Sequence, residues 1–189
     1  MAGRCILVLG GARSGKSDFA QGLASELGER VLFAATAQAL DDDMRRRIEE
    51  HRRGRPAGWR TLEEPVEVSR AIEDHRGDAQ VVLLDCLTLL VSNIMLLDSL
   101  GDGPEEAEAK RAESRITREI EGLVRFVDGF PGSLIIVSNE VGLGVVPGET
   151  MGRFYRDLLG RANQLVARRA DRVMFMVAGI PWEVKGGGE

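Results

Sequence analysis

Five short apolar runs constrain this chain more than any other feature: CILVL (5–9), VLFAA (31–35), VVLLD (81–85), LIIVS (134–138) and VMFMV (173–177). Each is continuous rather than alternating. A strand with one wet face alternates apolar and polar residues, whereas a strand covered on both faces, as in a parallel sheet between helices, does not. Helical patterns lie between the runs. KSDFAQGLASELG closes on Gly28, read as a glycine just past a helix end. DDDMRRRIEEHRR opens on acidic residues and stops at Gly54. PVEVSRAIEDHRG puts Pro65 in a first helical turn and ends at Gly77. PEEAEAKRAESRITREIEGLVRFVDG, from Pro104, and TMGRFYRDLLGRANQLVARRAD supply two longer amphipathic helices. Strand alternating with helix predicts an α/β fold, a mostly parallel doubly wound sheet flanked by helices, in one domain over residues 1–189.

The 43% hydrophobic content is that of a globular chain able to bury a core without disulfide or metal. A net charge of −5 argues against nucleic acid as a partner. The arginines at 45–55 form a local basic patch suited to an anion. Cys5 and Cys86 sit in or beside apolar runs, as buried free thiols do. The N-terminal apolar run is too short for a signal peptide, and LTLLVSNIMLL (87–97) is about half a membrane span. A cytoplasmic protein without membrane insertion is expected. SLGDGPEEAEAK (99–110) reads as the most polar loop, and the tail KGGGE reads as unstructured.

Chemistry enters after the first apolar run. Gly10, Gly11, Ala12, Arg13, Ser14, Gly15, Lys16 and Ser17 spell G-x-x-x-x-G-K-S between a strand and a helix, the context a phosphate-binding loop requires. Glycines let several backbone N–H groups converge on one anion, and the following helix adds its positive end. Lys16 would reach the outer phosphates and Ser17 would bind Mg²⁺. Such a loop needs an acidic residue at the end of a neighbouring buried strand. Asp85 ends VVLLD and would share the Mg²⁺, unless it merely caps the next helix.

His51 is one of two histidines. On a helix over 42–53 it falls seven residues after Met44 and three after Ile48, on one face. From spacing alone it is a packed or helix-terminal histidine, as is His75 in EDHRG.

The blocks GGARSGKS, AATAQALDDDMRRRIEEHRRGRPAGWRTLEEP, LLDCLTLLVSN, VSNEVGLGVVP and GRANQLVARRADRV, in that order, closely resemble the bifunctional adenosylcobinamide kinase / adenosylcobinamide-phosphate guanylyltransferases of cobalamin biosynthesis. The D-x-M-x-x-R-I-x-x-H-x-x-x-R-P-x-x-W segment is the most diagnostic part. The resemblance implies a P-loop NTPase fold and two reactions. An NTP, ATP or GTP, phosphorylates the aminopropanol hydroxyl of adenosylcobinamide. GMP then passes from GTP through a phosphoramidate on His51 to that phosphate, giving adenosylcobinamide-GDP and pyrophosphate. It further implies nucleotide contacts from Ala35, Thr36 and Ala37, from Arg52, Arg53, Gly54 and Arg55, and from Glu63 and Asp85. Asn139 and Glu140 would face the corrinoid or the nucleotide. A homotrimer is implied, with 87–97 and the 104–128 helix as contact surfaces, although core packing explains the former equally well. An ordinary P-loop kinase would leave His51 idle. A GTP-dependent switch would need N-K-x-D where this chain reads Ser138-Asn139-Glu140-Val141.

Overall fold

The computed structural model describes residues 3–39, 41–97 and 105–186, except for the side chains of Asp43, Arg47, Glu50 and His51. The chain runs β1 (Arg4–Gly10), α1 (Lys16–Leu27), β2 (Val31–Ala35), α2 (Asp42–Arg53), β3 (Arg60–Glu63), α3 (Val68–His75), β4 (Val81–Asp85), α4 (Leu87–Leu96), α5 (Glu106–Gly129), β5 (Ser133–Asn139), α6 (Thr150–Arg169), β6 (Arg172–Val177) and β7 (Ile180–Lys185). All seven strands form one sheet in the order β3-β2-β4-β5-β1-β6-β7. Every pairing is parallel except β6 with β7.

The five predicted strands are all present, and their continuous hydrophobicity has the expected cause. In β1, Cys5 and Leu7 join a core beneath α3, α4, α5 and α6, while Ile6 and Val8 join a second core on the opposite face beneath α1. In β4, Val82 and Leu84 face the first core and Val81 and Leu83 the second. Alternation of side chains thus serves two buried faces, each fully buried aliphatic side chain contributing about 1.5–3 kcal/mol.

Two strands escaped the sequence reading, and both lie at sheet edges. β3 is four residues with a single apolar side chain, Leu62. β7 is exposed along its whole length and carries Pro181, which an edge strand tolerates. β7 also corrects the reading of the tail: Lys185 is in the strand, and its Nζ donates to the carbonyls of Ala167 and Arg168 at the end of α6.

Several helix boundaries move. α3 starts at Val68, not at Pro65; the Glu64 carboxylate accepts the N–H groups of Val66 and Glu67 and forms the turn ahead of it. α5 starts at Glu106, so residues 106–110 of the expected polar loop are helical, closed by a reciprocal capping box between Glu105 and Glu108. Pro104 and 98–103 lie outside the described residues. Gly28 is in extended backbone with φ 177°, not the left-handed conformation. It is glycine because a Cβ there would lie 2.8 Å from the Gln80 Cβ. The 87–97 stretch is a core helix: Leu87, Leu90, Val91, Ile94 and Met95 are buried. Among the described residues, no helix is long and apolar enough to cross a membrane.

Candidate active site

Because six adjacent strands run parallel, their last residues gather at one edge: Glu63, Ala35, Asp85, Asn139, Gly10 and Val177, in sheet order. β5 separates β1 from β4, so Asp85 is not on the strand next to the phosphate loop as the sequence reading expected. Asn139 is in register with Gly10, and Val137 with Asp85. A cleft of about 390 Å³ opens over this edge, lined by Ala12, Arg13, Lys16 and Ser17 of the loop, by Ala35, Ala37, Arg55, Glu63, Asp85 and Asn139, and by Met44 and Ile48 of α2.

The loop is held by its own bonds and by a neighbouring turn. Ser14 N–H donates to the Gly11 carbonyl at 3.3 Å. Gly15 caps α1 with φ +88°, a conformation that favours glycine, and packs on Gly179 of the β6–β7 turn. The Gly179 N–H donates to the Ser14 carbonyl at 3.0 Å. Lys16 is 8% exposed, and its Nζ donates to the Gly11 carbonyl at 2.6 Å, so the ammonium is drawn back against the loop. Burial lowers its pKa from the ordinary lysine value, with Cys86 and the Asp85 carboxylate opposing.

Asp85 does not act as the N-cap of α4; that position is Cys86, which makes no side-chain capping bond. Ser17 and Asp85 both line the cleft, a hydroxyl and a carboxylate. Mg²⁺ bound to a nucleotide needs only one or two protein oxygens besides phosphates and water, so this pair fits it. Among the described residues no larger group of His, Cys, Asp or Glu could hold a metal.

The expected nucleotide contacts divide into groups. Ala35 and Ala37 line the cleft, whereas Thr36 is fully buried; its hydroxyl donates to the Cys86 carbonyl at 2.8 Å and accepts the Cys86 N–H at 2.9 Å. Arg55 lines the cleft with its guanidinium carbon 3.5 Å from the Phe33 ring centroid, and Phe33 stacks on Trp59. Its Nε is buried without a hydrogen-bond partner. Burial lowers its pKa; Asp85 and Glu63 oppose that shift and Arg52 adds to it. Arg52 pairs with Glu63 at 3.6 Å. Arg53 and Gly54 are exposed, and Arg53 pairs with Glu49. His51 falls within α2, but its imidazole lies outside the described residues. His75 Nδ1 is 2.9 Å from the Ala71 carbonyl, in the last turn of α3, where a helix-terminal histidine is expected.

Sequence reading missed the buried Thr88 and Asn163 and the half-buried Asn93 that fix this edge. Asn93 of α4 donates to the carbonyls of Thr36 and Pro65 and ties together two segments of the cleft wall. Thr88 accepts the Asn139 N–H at 2.7 Å, and Asn163 of α6 donates to the Asn139 carbonyl at 3.0 Å. Only their position as polar residues on apolar helix faces could have marked them.

A strand, a glycine-rich phosphate loop, a helix and a carboxylate at one edge of a parallel sheet define a P-loop nucleotide-binding fold. The solved structure of the RadB recombinase superposes with a TM-score of 0.50 at 14% identity, covering 92% of this chain and 74% of that one, and supports the fold alone. Residues 6–184 match the cobinamide kinase / cobinamide phosphate guanyltransferase family, and the chain belongs to it. It is 45% identical over 180 residues to the bifunctional adenosylcobalamin biosynthesis protein CobP of Pseudomonas aeruginosa, covering 95% of this chain and 96% of that one. It is 42% identical over 181 residues to the bifunctional adenosylcobalamin biosynthesis protein CobU of Escherichia coli and 39% identical over 180 to that of Salmonella typhimurium, covering 95% of this chain and 99% of each. The chain is accordingly an enzyme of a family that joins a kinase to a guanylyltransferase.

Proposed function

We propose that this chain phosphorylates the aminopropanol hydroxyl of adenosylcobinamide and then guanylylates the product at the same cleft. In the first reaction the hydroxyl oxygen attacks the γ-phosphorus of ATP or GTP, the bond to the β-phosphate bridge breaks, and the nucleoside diphosphate leaves. In the second, a ring nitrogen of His51 attacks the α-phosphorus of GTP, and pyrophosphate leaves. An oxygen of adenosylcobinamide phosphate then attacks the phosphoramidate, the N–P bond breaks, and adenosylcobinamide-GDP is released with His51 restored.

The observation that carries this reading is the make-up of the cleft, in which Met44 and Ile48 of α2 line the same cavity as Lys16 and Ser17. By helical spacing His51 follows them along α2. A nucleophile carried by that helix would meet a triphosphate whose outer phosphates lie on the loop. Lys16 and the loop N–H groups would stabilise charge on the departing pyrophosphate. Ser17 and Asp85 would hold Mg²⁺, which supplies further positive charge to the outer phosphates. Arg55 and Arg52 would meet the polyanion. A cytoplasmic homotrimer of this single P-loop domain completes the reading; sedimentation should give a species of three times 20.6 kDa.

Incubation with GTP labelled on its α-phosphate tests the chemistry. An acid-labile, base-stable label on the wild-type protein, absent from His51→Asn, is expected, with the kinase turnover of that variant retained. A wild-type protein that phosphorylates cobinamide without ever taking up the label is an ordinary P-loop kinase. Loss of both activities in His51→Asn assigns the histidine a structural role.

A further inference from the structure

The loop that leaves β5, Glu140–Gly148, exposes apolar side chains where a soluble protein usually hides them: Leu143 is 80% exposed, Val145 94% and Val146 59%. They occupy four consecutive positions with one glycine between, at the edge of the sheet that carries the nucleotide cleft. We propose that this loop seats the apolar macrocycle of the cobinamide acceptor while the acceptor's alcohol arm reaches into the cleft; this rests on the function proposed above.

Position supports it first. The loop follows directly on Asn139, the last residue of β5, which lines the cleft, and its first residue is bonded to the phosphate loop, Glu140 N–H donating to the Gly10 carbonyl at 3.0 Å. An alcohol attacking a γ-phosphate must come from beyond the phosphate end of the nucleotide. A substrate far larger than its reacting arm must then rest on a surface continuous with that end.

Bracing supports it second. The stem is gripped by the bonds of Asn139 to Thr88 and Asn163, and Asn163 is held in turn by the Ser138 hydroxyl at 2.7 Å. The Glu140 carboxylate accepts the Gly142 N–H at 2.6 Å. At the far end the Arg153 guanidinium donates to the carbonyls of Pro147 and Gly148. The backbone is therefore fixed at both ends while the apolar tip points to solvent. A ligand with an apolar face would bury that tip without reordering the loop.

Steady-state kinase assays with cobinamide as the varied substrate test the assignment, using Leu143→Ser with Val145→Ser in one chain and Trp182→Ser on the exposed β7 face as a second variant. Losing two apolar contacts should raise the KM for cobinamide about tenfold or more in the loop variant. Its KM for the nucleotide should stay within about twofold, and Trp182→Ser should behave as wild type. Direct calorimetry with cobinamide and no nucleotide should show the same weakening. An unchanged KM for cobinamide in the loop variant, or a rise confined to Trp182→Ser, overturns the assignment while leaving the kinase reading intact. A wild-type protein that turns over no cobinamide overturns both.

Discussion

Burial and charge compete at the individual residues of this site. Lys16 keeps its position by donating to Gly11, and the fold holds it in a setting that disfavours its charge, offset by the nearby carboxylate. A phosphate would supply the missing compensation, which is how a buried cation becomes selective for an anion. Cys5 shows the reverse effect on stability. Burial first, and Asp171 second, push its thiol up to about 12 from 9.0, with Lys185 opposing. The folded state thus keeps the proton while the unfolded chain gives it up. The stabilisation is complete below pH 9.0 and is lost as pH rises from there toward about 12. Its slope is at most about 1.4 kcal/mol per pH unit. Urea midpoints at about pH 8 and about pH 10 should fall further for wild type than for Cys5→Ala. Parallel declines in the two proteins would remove Cys5 as the cause.

Individual elements owe their ends to neighbours as much as to their own sequence. α1 stops where Gly28 passes Gln80, a contact that no local pattern contains. Gly28→Ala should therefore destabilise by about 1–3 kcal/mol through crowding alone, since its extended φ suits any residue. Thermal or urea unfolding reads this directly; a neutral substitution would mean that Gln80 simply moves aside. α3 begins late because Glu64 folds back onto Val66 and Glu67. α2 has no buried residue of its own among those described, so the cleft rather than the core is where its Met44–Ile48 face is used.

For the whole molecule, β7 is the element whose removal should be most informative. It pairs only with β6, and its turn also bonds the phosphate loop through Gly179. A chain ending at Gly179 would keep that turn residue but leave β6, with buried Val173, Met174 and Met176, as an unpaired edge. Lower stability and concentration-dependent aggregation by light scattering are expected. A truncated chain that stays monodisperse and equally stable would show that β7 is dispensable to the sheet.

The amino-acid sequence determined the five interior strands, because burial on both faces forces continuous hydrophobicity, and it determined the phosphate loop, because close anion contact demands glycine and lysine at fixed spacing. It also marked Ser17, Asp85, Glu63 and Arg55, all of which line one cleft. Tertiary structure alone decided the strand order that inserts β5 between β1 and β4, and with it the place of Asn139 beside Gly10. It decided the two edge strands, β3 with its single apolar residue and β7 whose alternating Ile180, Trp182 and Val184 stay exposed, so that neither shows the continuous apolar run of a strand buried on both faces, and the grip of Thr88, Asn163 and Asn93 on the cleft wall. Those contacts join residues far apart along the chain, and such contacts exist only once the sheet has brought its strand ends to a common edge.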